Sequence, residues 1–164
     1  MLIIDSKTVK NNYGVGANLG FDGNKKIKGF KLQLVVDTLG FLYGTFIHAA
    51  NDHDSPQGIN AIKNINQNIL KNIKKIIGDK GYRKTFIEDC KKLNLEVEIA
   101  NNGKNTGIQG FNLDPKRWIV ERTIAWLTRC RRLVVNYEKS IKSYDCFVWI
   151  AMMHLGIKKL FSFT

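Results

Sequence analysis

The chain has 164 residues, 44% of them hydrophobic, so its length and composition favour one globular domain with a sizeable core. Lysine and arginine outnumber aspartate and glutamate by 26 to 14, and the resulting net charge of +12 favours a polyanionic partner such as duplex DNA. Asp5 interrupts any amino-terminal signal sequence, and the longest uncharged stretch, residues 38–51, is shorter than the roughly 20 apolar residues that cross a bilayer.

Apolar runs and turn residues predict the elements of the first third. Leu2-Ile3-Ile4 predicts a short buried strand that ends at Asp5, and the glycines and asparagines of residues 11–24 predict a loop. Lys31–Asp37 and Phe41–Ala49 predict two strands. The intervening D-T-L-G predicts a tight turn, so the two strands form a hairpin.

Helices alternate with strands in the middle of the chain. Ser55 as N-cap and Pro56 at the first helical position predict the start of a helix. Isoleucines at helical spacing continue it: Ile59, Ile62, Ile65 and Ile69. The pattern then predicts a strand over residues 73–77, a helix over residues 84–93 with Leu93 inward, and a strand over residues 95–99.

The last third predicts a loop and two helices. Residues 100–114 are polar and rich in glycine, as in a flexible loop. Pro115 opens a long helix whose apolar side includes Val134, and a final helix runs from about Ser140 to Leu160. The whole order predicts an α/β layer fold with a mixed sheet and helices on both faces.

Three carboxylates that lie far apart in the sequence are candidate metal ligands. Asp5 and Asp79 each follow a predicted strand, and ligands collect beyond the carboxyl ends of strands in such sheets. Glu121 lies in a helical pattern, four residues after Arg117. Mg²⁺ prefers oxygen ligands, and two such ions can flank a scissile phosphate. The three carboxylates therefore indicate metal-dependent chemistry on phosphodiesters.

A stripe of residues at helical spacing surrounds the third carboxylate. It consists of Arg117, Glu121, Thr128 and Arg132. Arginines beside a carboxylate suit a metal ligand that lies along a phosphate backbone. The alternative interpretation is an intrahelical salt bridge at the surface.

Other polar residues have simpler interpretations. Asp37 suits a turn, and Asp52-His53-Asp54, which could bind a metal, precedes a helix start where aspartate is a favoured cap. His48 and His154 lie in apolar runs and are predicted to be core histidines. The tryptophans are also predicted to lie in the core, with stacking of Trp118 on an unpaired base as the alternative. The three cysteines lack zinc-ligand spacing, which indicates reduced, buried thiols of a cytosolic protein.

Six short motifs, taken in order, resemble one protein family. They are D-S-K-T-V-K from Asp5, K-I-K-G-F-K, V-D-T-L-G, H-A-A-N-D-H-D, D-K-G-Y-R and R-W-I-V-E-R-T-I-A-W-L. From Asp5 to about Lys159 the chain resembles the catalytic domain of DDE transposases of small bacterial insertion sequences, in particular the insertion-sequence-five group. The resemblance implies a ribonuclease-H-like fold and metal-dependent cleavage and joining of DNA strands. It also implies that Asp5, Asp79 and Glu121 are the catalytic residues.

The sequence departs from the wider family signature at two positions. That signature has a Tyr three residues before the Arg and a Lys or Arg seven residues after the Glu. Here Asp114 and Thr128 occupy those positions, although Arg129 follows. Which basic residue holds the DNA end therefore stays open.

The resemblance also implies cofactors and partners. The three carboxylates are expected to hold Mg²⁺, with Mn²⁺ possible, and the partner is DNA, both transposon ends and target. Basic residues expected to bind this DNA are Lys7, Lys80, Arg83, Arg117, Arg122, Arg129 and Arg132. We expect a homodimer on DNA in the bacterial cytoplasm, associated with the nucleoid and not with a membrane.

The sequence also predicts the domain organisation of the chain. Residues 1–164 are expected to form a single catalytic domain without an amino-terminal DNA-binding domain, because no helix-turn-helix pattern that would enter a DNA groove is evident. Such a segment is expected upstream, in another reading frame, as a separate partner. Two alternative functions remain: a ribonuclease-H-like nuclease that does not join strands, and a transposase remnant that only binds DNA.

Overall fold

The structure is a computed structural model that describes residues 1–13, 19–100 and 115–161. Its strands are β1 (Leu2–Asn11), β2 (Gly20–Asp22), β3 (Ile27–Val36), β4 (Leu42–Ala49), β5 (Lys75–Gly78), β6 (Glu96–Ile99) and β7 (Val135–Asn136). Its helices are α1 (Asp54–Lys63), α2 (Gln67–Leu70), α3 (Lys84–Lys92), α4 (Pro115–Arg129), α5 (Arg131–Val134) and α6 (Ile141–Phe161).

The strands form one mixed sheet. Its order is β2-β3-β1-β5-β6, with β4 also paired to β3 and β7 also paired to β1. The pairs β1–β5, β1–β7 and β5–β6 are parallel, whereas β2 and β3 are antiparallel. The predicted α/β fold with a mixed sheet and packed helices is confirmed, and it is consistent with a ribonuclease-H-like fold.

The chain divides into two compact units, and several elements run from one into the other. Unit 1 contains Met1–Ser6, Gln33–Phe46 and His53–Arg122. Its core joins strands β1, β3 and β5 to helices α1 and α3. The buried members are Leu2, Ile4, Val35, Ile59, Ala61, Ile62, Ile65, Leu70, Ile76, Tyr82, Phe86, Cys90 and Leu95. The apolar spacing of α1 and α3 places their buried residues on the face that enters this core.

Unit 2 contains Lys7–Leu32, Ile47–Asp52 and Thr123–Thr164. The ring of Phe30 packs edge-on against Tyr144 of α6, with their centroids 5.0 Å apart. Thr8 donates a hydrogen bond from Oγ1 to Asp22 at 2.6 Å within this unit, and both residues are buried. The first contact joins β3 to the last helix, and the second joins β1 to β2, in each case through residues distant in sequence.

Several predicted elements are confirmed. The β3–β4 hairpin turns at Asp37, whose Oδ1 accepts hydrogen bonds from the backbone N–H groups of Leu39 and Phe41, each at 2.9 Å. Gly40 has a φ of 88°, which suits glycine in this turn. Helices α3 and α6 lie within a residue or two of their predicted bounds. The predicted loop over residues 100–114 falls almost wholly outside the described residues.

The predicted start of the first helix is wrong. The N-cap of α1 is His53, which makes no side-chain cap hydrogen bond, and Ser55 is already inside the helix. The Ser55 hydroxyl instead accepts from the backbone N–H of Arg83 at 3.1 Å and lies 3.0 Å from the Arg83 carbonyl oxygen. The Ser55 side chain, which the local sequence pattern predicts to cap the helix, therefore bonds to a residue 28 positions later in the chain. The helix also ends at Lys63, so Ile69 falls in α2 and is exposed.

The helix that begins at Pro115 is shorter than predicted. It ends at Arg129, because Cys130 has an extended backbone, and Val134 belongs to the separate helix α5. The chain then pairs with β1, Lys10 opposite Val135. That strand pairing links residues far apart in sequence, so the local apolar spacing could not reveal it.

Burial differs from the prediction at individual positions. His48 is buried, as expected, but His154 is exposed and Leu93 is 36% exposed. Among the cysteines only Cys90 is fully buried, and Cys146 is exposed. In the part of the chain that the structure describes, no helix is long and apolar enough to cross a membrane.

Candidate active site

Two of the three candidate carboxylates lie close to the same level of the sheet, Asp5 on β1 and Asp79 directly after the parallel strand β5. The register of β1 and β5 pairs Ile3 with Ile77, and its continuation by two residues sets Asp5 opposite Asp79. Asp79 directly follows β5, as predicted. Asp5 lies inside β1 rather than at its end, so that part of the prediction is wrong, because the strand continues to meet β7.

Three other charged residues of the candidate site affect the pKa of Asp5. Burial raises the pKa of its carboxyl group to about 6, against the hydrogen bond that the Ser6 backbone N–H donates to it at 2.8 Å. The negative charges of Asp79 and Glu121 also raise this pKa, and the positive charge of Arg117 lowers it. All these residues belong to unit 1. The fold therefore brings the three candidate carboxylates close enough to interact.

Glu121 is held by an arginine one turn earlier on α4. Its Oε1 lies 3.0 Å from Nη2 of Arg117, so the intrahelical ion pair considered as an alternative is present. The side chains are only 36% and 20% exposed, respectively, which distinguishes the pair from a fully solvated surface bridge. Because Arg117 also acts on Asp5, the ion pair is part of the same charged cluster.

The donor set suits a hard divalent cation, although its side chains are not gathered into a metal cage. Among residues 1–13, 19–100 and 115–161, no three His, Cys, Asp or Glu side chains are placed together so that they could hold a metal ion. The three donors are all carboxylates, which Mg²⁺ and Mn²⁺ prefer. The raised pKa of Asp5 reflects, after burial, the like charges of Asp79 and Glu121, which a cation would offset.

The segment after β5 orients Asp79 through its own backbone. The Gly81 N–H donates to Asp79 Oδ1 at 2.8 Å, and the Tyr82 N–H donates to the Asp79 carbonyl oxygen at 3.1 Å. A Cβ at Gly81 would lie 2.9 Å from the same Oδ1, so glycine permits this close approach. The D-K-G-Y-R motif is therefore a turn that fixes one of the carboxylates.

A buried chain of hydrogen bonds lies beside the carboxylates. The Tyr82 hydroxyl donates to Gln33 Oε1 at 2.5 Å, and Gln33 Nε2 donates to Asp54 Oδ1 at 2.9 Å. Burial raises the pKa of Tyr82 well above its usual value, and the charges of Asp5, Asp54 and Asp79 raise it further, so the hydroxyl remains a donor. The sequence analysis missed Gln33 and Asp54 as residues of this region. The available signal was a single amide in the otherwise apolar run L-Q-L-V-V.

Four of the predicted DNA-binding residues lie in unit 1 with the carboxylates: Lys80, Arg83, Arg117 and Arg122. Lys80 and Arg83 are exposed in the segment after Asp79, where Arg83 Nε donates to the Lys80 carbonyl oxygen at 2.7 Å. Arg122 is half-buried and donates from Nη2 to the Leu39 carbonyl oxygen at 3.1 Å. Lys80 and Arg83 therefore present the more accessible cations beside the candidate site.

Lys7 differs from these cations in its surroundings. It lies in unit 2, and its Nζ donates to the Leu133 carbonyl oxygen at 3.3 Å. Burial lowers the pKa of this amine, and the charge of Lys25 lowers it further. The contact gives Lys7 a structural role in joining β1 to α5.

The last two predicted DNA-binding residues, Arg129 and Arg132, are exposed in unit 2. Arg129 ends α4, whereas Arg132 lies on α5, pairs with Glu138 at 2.8 Å and stacks 4.2 Å over the ring of Phe147. The predicted single stripe from Arg117 to Arg132 is therefore wrong, because the helix ends between them.

Other candidates from the sequence have defined surroundings. Trp118 is 49% exposed on α4, so the prediction that it lies in the core is wrong. Asp52 lies 3.9 Å from the ring of His48, and Asp54 accepts from Gln33, so each of these aspartates contacts a different partner.

Comparison with known proteins adds two findings. A family described as the transposase DDE domain matches residues 1–155. A putative transposase for insertion sequence element IS402 from Burkholderia cepacia is 28% identical over 127 residues, which cover 73% of this chain and 59% of that relative. The chain thus matches less than two thirds of the relative's length.

Proposed function

The chain belongs to the transposase DDE domain family, and from this premise we propose that it cleaves DNA at the ends of an insertion sequence and joins the freed 3′-hydroxyls to target DNA. One observation carries the proposal: the charges of Asp79, Glu121 and Arg117 all act on the half-buried Asp5. Since the substrate would be chromosomal, we place the activity at the nucleoid of a bacterial cytoplasm.

In this proposal Asp5, Asp79 and Glu121 hold Mg²⁺ or Mn²⁺. A divalent cation there supplies Lewis-acid chemistry, lowering the pKa of the attacking hydroxyl and offsetting charge on the leaving oxygen. The register of β1 and β5, continued by two residues, sets Asp5 opposite Asp79, whereas Glu121 is engaged by Arg117. Glu121 therefore has to share or leave that ion pair to join the other two carboxylates. Arg117, once released, can donate to a DNA phosphate.

The cations near the site bind the phosphate backbone. Lys80 and Arg83 follow Asp79 directly and are exposed, so they can contact phosphates that flank the scissile bond. The net charge of +12 supports this assignment, because neutralising phosphates releases counterions from DNA. The insertion-sequence-five group, the homodimer on DNA and the partner encoded upstream stay predictions.

A second candidate function is DNA binding without catalysis. The observation that favours it is the ion pair of Glu121 with Arg117, together with the absence, among the described residues, of three acidic, His or Cys side chains placed to hold a metal. A decayed transposase would retain the basic surface and lose the chemistry. A nuclease that cuts without joining is the third possibility, and one assay separates all three.

The assay combines the purified chain, Mg²⁺, a labelled duplex with the sequence that flanks the gene, and a longer unlabelled duplex. We expect nicked product and labelled product joined to the second duplex. Asp79→Asn should abolish both and leave DNA binding unchanged. The control Asp89→Asn alters an aspartate on α3 that pairs with Lys92, and it should behave as the wild type.

Each other result points to a different function. Nicked product without joined product indicates a nuclease, and binding without either product indicates a DNA-binding remnant. Cleavage by Asp79→Asn at the wild-type rate would show that the assignment of the carboxylates is wrong.

A further inference from the structure

The ring of Tyr82 fills a slot that two glycines keep open. It is 1% exposed and packs against α1, β5 and α3. A Cβ at Gly58 of α1 would lie 2.7 Å from its Cε1 atom, and a Cβ at Gly78, the last residue of β5, would lie 2.9 Å from its Cδ2 atom. The centroid of the ring is 5.0 Å from that of Phe86 on α3. The ring therefore has little room to move sideways.

The same residue anchors the turn that carries Asp79. Gly78, which lies against the ring, directly precedes Asp79, and the Tyr82 backbone N–H donates to the Asp79 carbonyl oxygen at 3.1 Å. Within the turn, the Gly81 N–H donates to Asp79 Oδ1 at 2.8 Å. Any movement of the ring along its slot therefore shifts the backbone that orients the Asp79 carboxylate.

Gln33 binds the hydroxyl at the end of this ring. Its side chain is completely buried on β3, where its neighbours Leu32 and Leu34 are buried as well. Its amide oxygen accepts from the Tyr82 hydroxyl, and its amide nitrogen donates to Asp54 Oδ1 at 2.9 Å. Because an ionised carboxylate can only accept, Asp54 makes the amide present its oxygen to Tyr82. A buried polar chain of this kind makes the core rigid and fixes one arrangement.

We propose that Gln33 is a positioning residue for Asp79: it fixes the depth of the Tyr82 ring in its slot, and the ring fixes the turn that aims the carboxylate. This role depends on the proposed function, in which Asp79 helps to hold the divalent cation. Stability alone does not require the polar chain, because apolar side chains of similar shape at positions 33 and 82 would fill the same space without burying an amide. Replacing groups that orient a metal ligand from behind typically changes metal affinity or activity roughly 10–100-fold.

The first test separates positioning from stability. In Tyr82→Phe and in Gln33→Met, we expect the Mn²⁺ concentration that gives half of the maximal thermal stabilisation to rise about 10-fold or more. The matched control is Tyr144→Phe, which removes a buried hydroxyl that donates to the Leu133 carbonyl oxygen at 2.9 Å in unit 2. This control should also lose stability, but it should keep the Mn²⁺ response of the wild type.

The second test uses the double variant Gln33→Met/Tyr82→Phe, which removes both partners of the hydrogen bond. No unpaired group then remains between the ring and β3, so the chain should regain part of the stability that each single variant loses. The Mn²⁺ response should nevertheless stay weak. In the cleavage assay, kcat should stay about 10-fold or more below that of the wild type. The KM for DNA should be unchanged, because no cation that contacts phosphate is altered.

The outcomes distinguish this role from the proposed function. If the wild type responds to Mn²⁺ and cleaves DNA, single variants with an unchanged Mn²⁺ response overturn the positioning role alone. A double variant that regains the Mn²⁺ response together with its stability does the same. A wild type that does not cleave DNA, and that Mn²⁺ stabilises no more than it stabilises Asp79→Asn, overturns the proposed function and the role of Gln33 with it. If Gln33→Met does not fold, Tyr82→Phe decides, because it removes the same hydrogen bond from the other end.

Discussion

At the level of single residues, the candidate site concentrates negative charge where the protein limits access of water. Asp5 is half-buried, and the charges of Asp79 and Glu121 both act on it. An arrangement of this kind lowers the stability of the folded chain unless a cation offsets it. Such local cost is typical of sites that bind or catalyse.

Substitution of Asp5 by asparagine should therefore stabilise the chain. Asparagine keeps an acceptor for the Ser6 N–H but removes a half-buried charge near Asp79 and Glu121. We expect the free energy of unfolding at neutral pH, without divalent ions, to rise by roughly 1–2 kcal/mol. Denaturant unfolding in EDTA measures the change. A less stable Asp5→Asn variant would contradict the crowding of charge around this residue.

The hydroxyl of Tyr82 should matter for stability in the opposite direction. Tyr82→Phe removes the buried hydrogen bond to Gln33, and we expect a loss of about 1–3 kcal/mol in the free energy of unfolding. The control Tyr137→Phe removes a hydroxyl that accepts from Asn12 at the surface, where the expected loss is below about 0.5 kcal/mol. Equal effects in the two variants would show that the Tyr82–Gln33 contact does not stabilise the core.

At the level of elements, the sequence predicted those helices and turns whose formation depends on residues close together in the chain. The β3–β4 hairpin followed from its turn chemistry, and α3 and α6 followed from apolar spacing. The second half of β1, the strands β2 and β7 and the end of α4 were missed, because each depends on pairing with residues far away in sequence. The same limit applies to the site. A motif indicated the carboxylates, but the chain from Tyr82 through Gln33 to Asp54 exists only once three segments have packed.

Strands β1 and β3 approach each other closely at Gly29, so a side chain at this position should destabilise the fold. A Cβ at Gly29 would lie 1.9 Å from the Val9 carbonyl oxygen, whereas a Cβ at Gly23 would meet no atom within 4 Å. We expect Gly29→Ala to lower the free energy of unfolding by roughly 1–3 kcal/mol or more, because backbone has to move. Gly23→Ala should change it by no more than about 0.5 kcal/mol. Denaturant unfolding of the two variants tests the difference, and equal stability would contradict the described β1–β3 spacing.

At the level of the whole molecule, the proposed binding of DNA depends on positive charge. The excess of 12 positive charges acts over the entire surface, whereas the exposed arginines of α4 and α5 form a local concentration of charge. If net charge dominates, the position of a removed positive charge should not affect affinity for DNA. If the arginine cluster dominates, its loss should weaken binding more than the loss of charge elsewhere. A comparison at equal net charge can therefore separate them.

Affinity for non-specific duplex DNA should fall steeply as salt increases. Charge reversal of Arg129, Arg131 and Arg132 to glutamate should flatten the slope of log affinity against log salt by roughly one unit for each phosphate that the variant no longer neutralises. The control reverses three exposed lysines elsewhere, Lys63, Lys71 and Lys74, with the same change in net charge. Fluorescence anisotropy over a salt series measures both slopes. Equal flattening would mean that net charge alone, and not the arginine cluster, binds DNA.

Under the proposed function, the crowded charge at Asp5 also affects what happens when a copy of the gene loses its activity. Most disabling mutations in a protein core unfold the product, and cellular proteases then remove it. Loss of the Asp5 charge is different, because it ends the proposed chemistry while leaving the folded chain and its arginines in place. Under the proposed function, the inactive product persists and competes with intact enzyme for DNA, so each such copy reduces the activity of the intact ones.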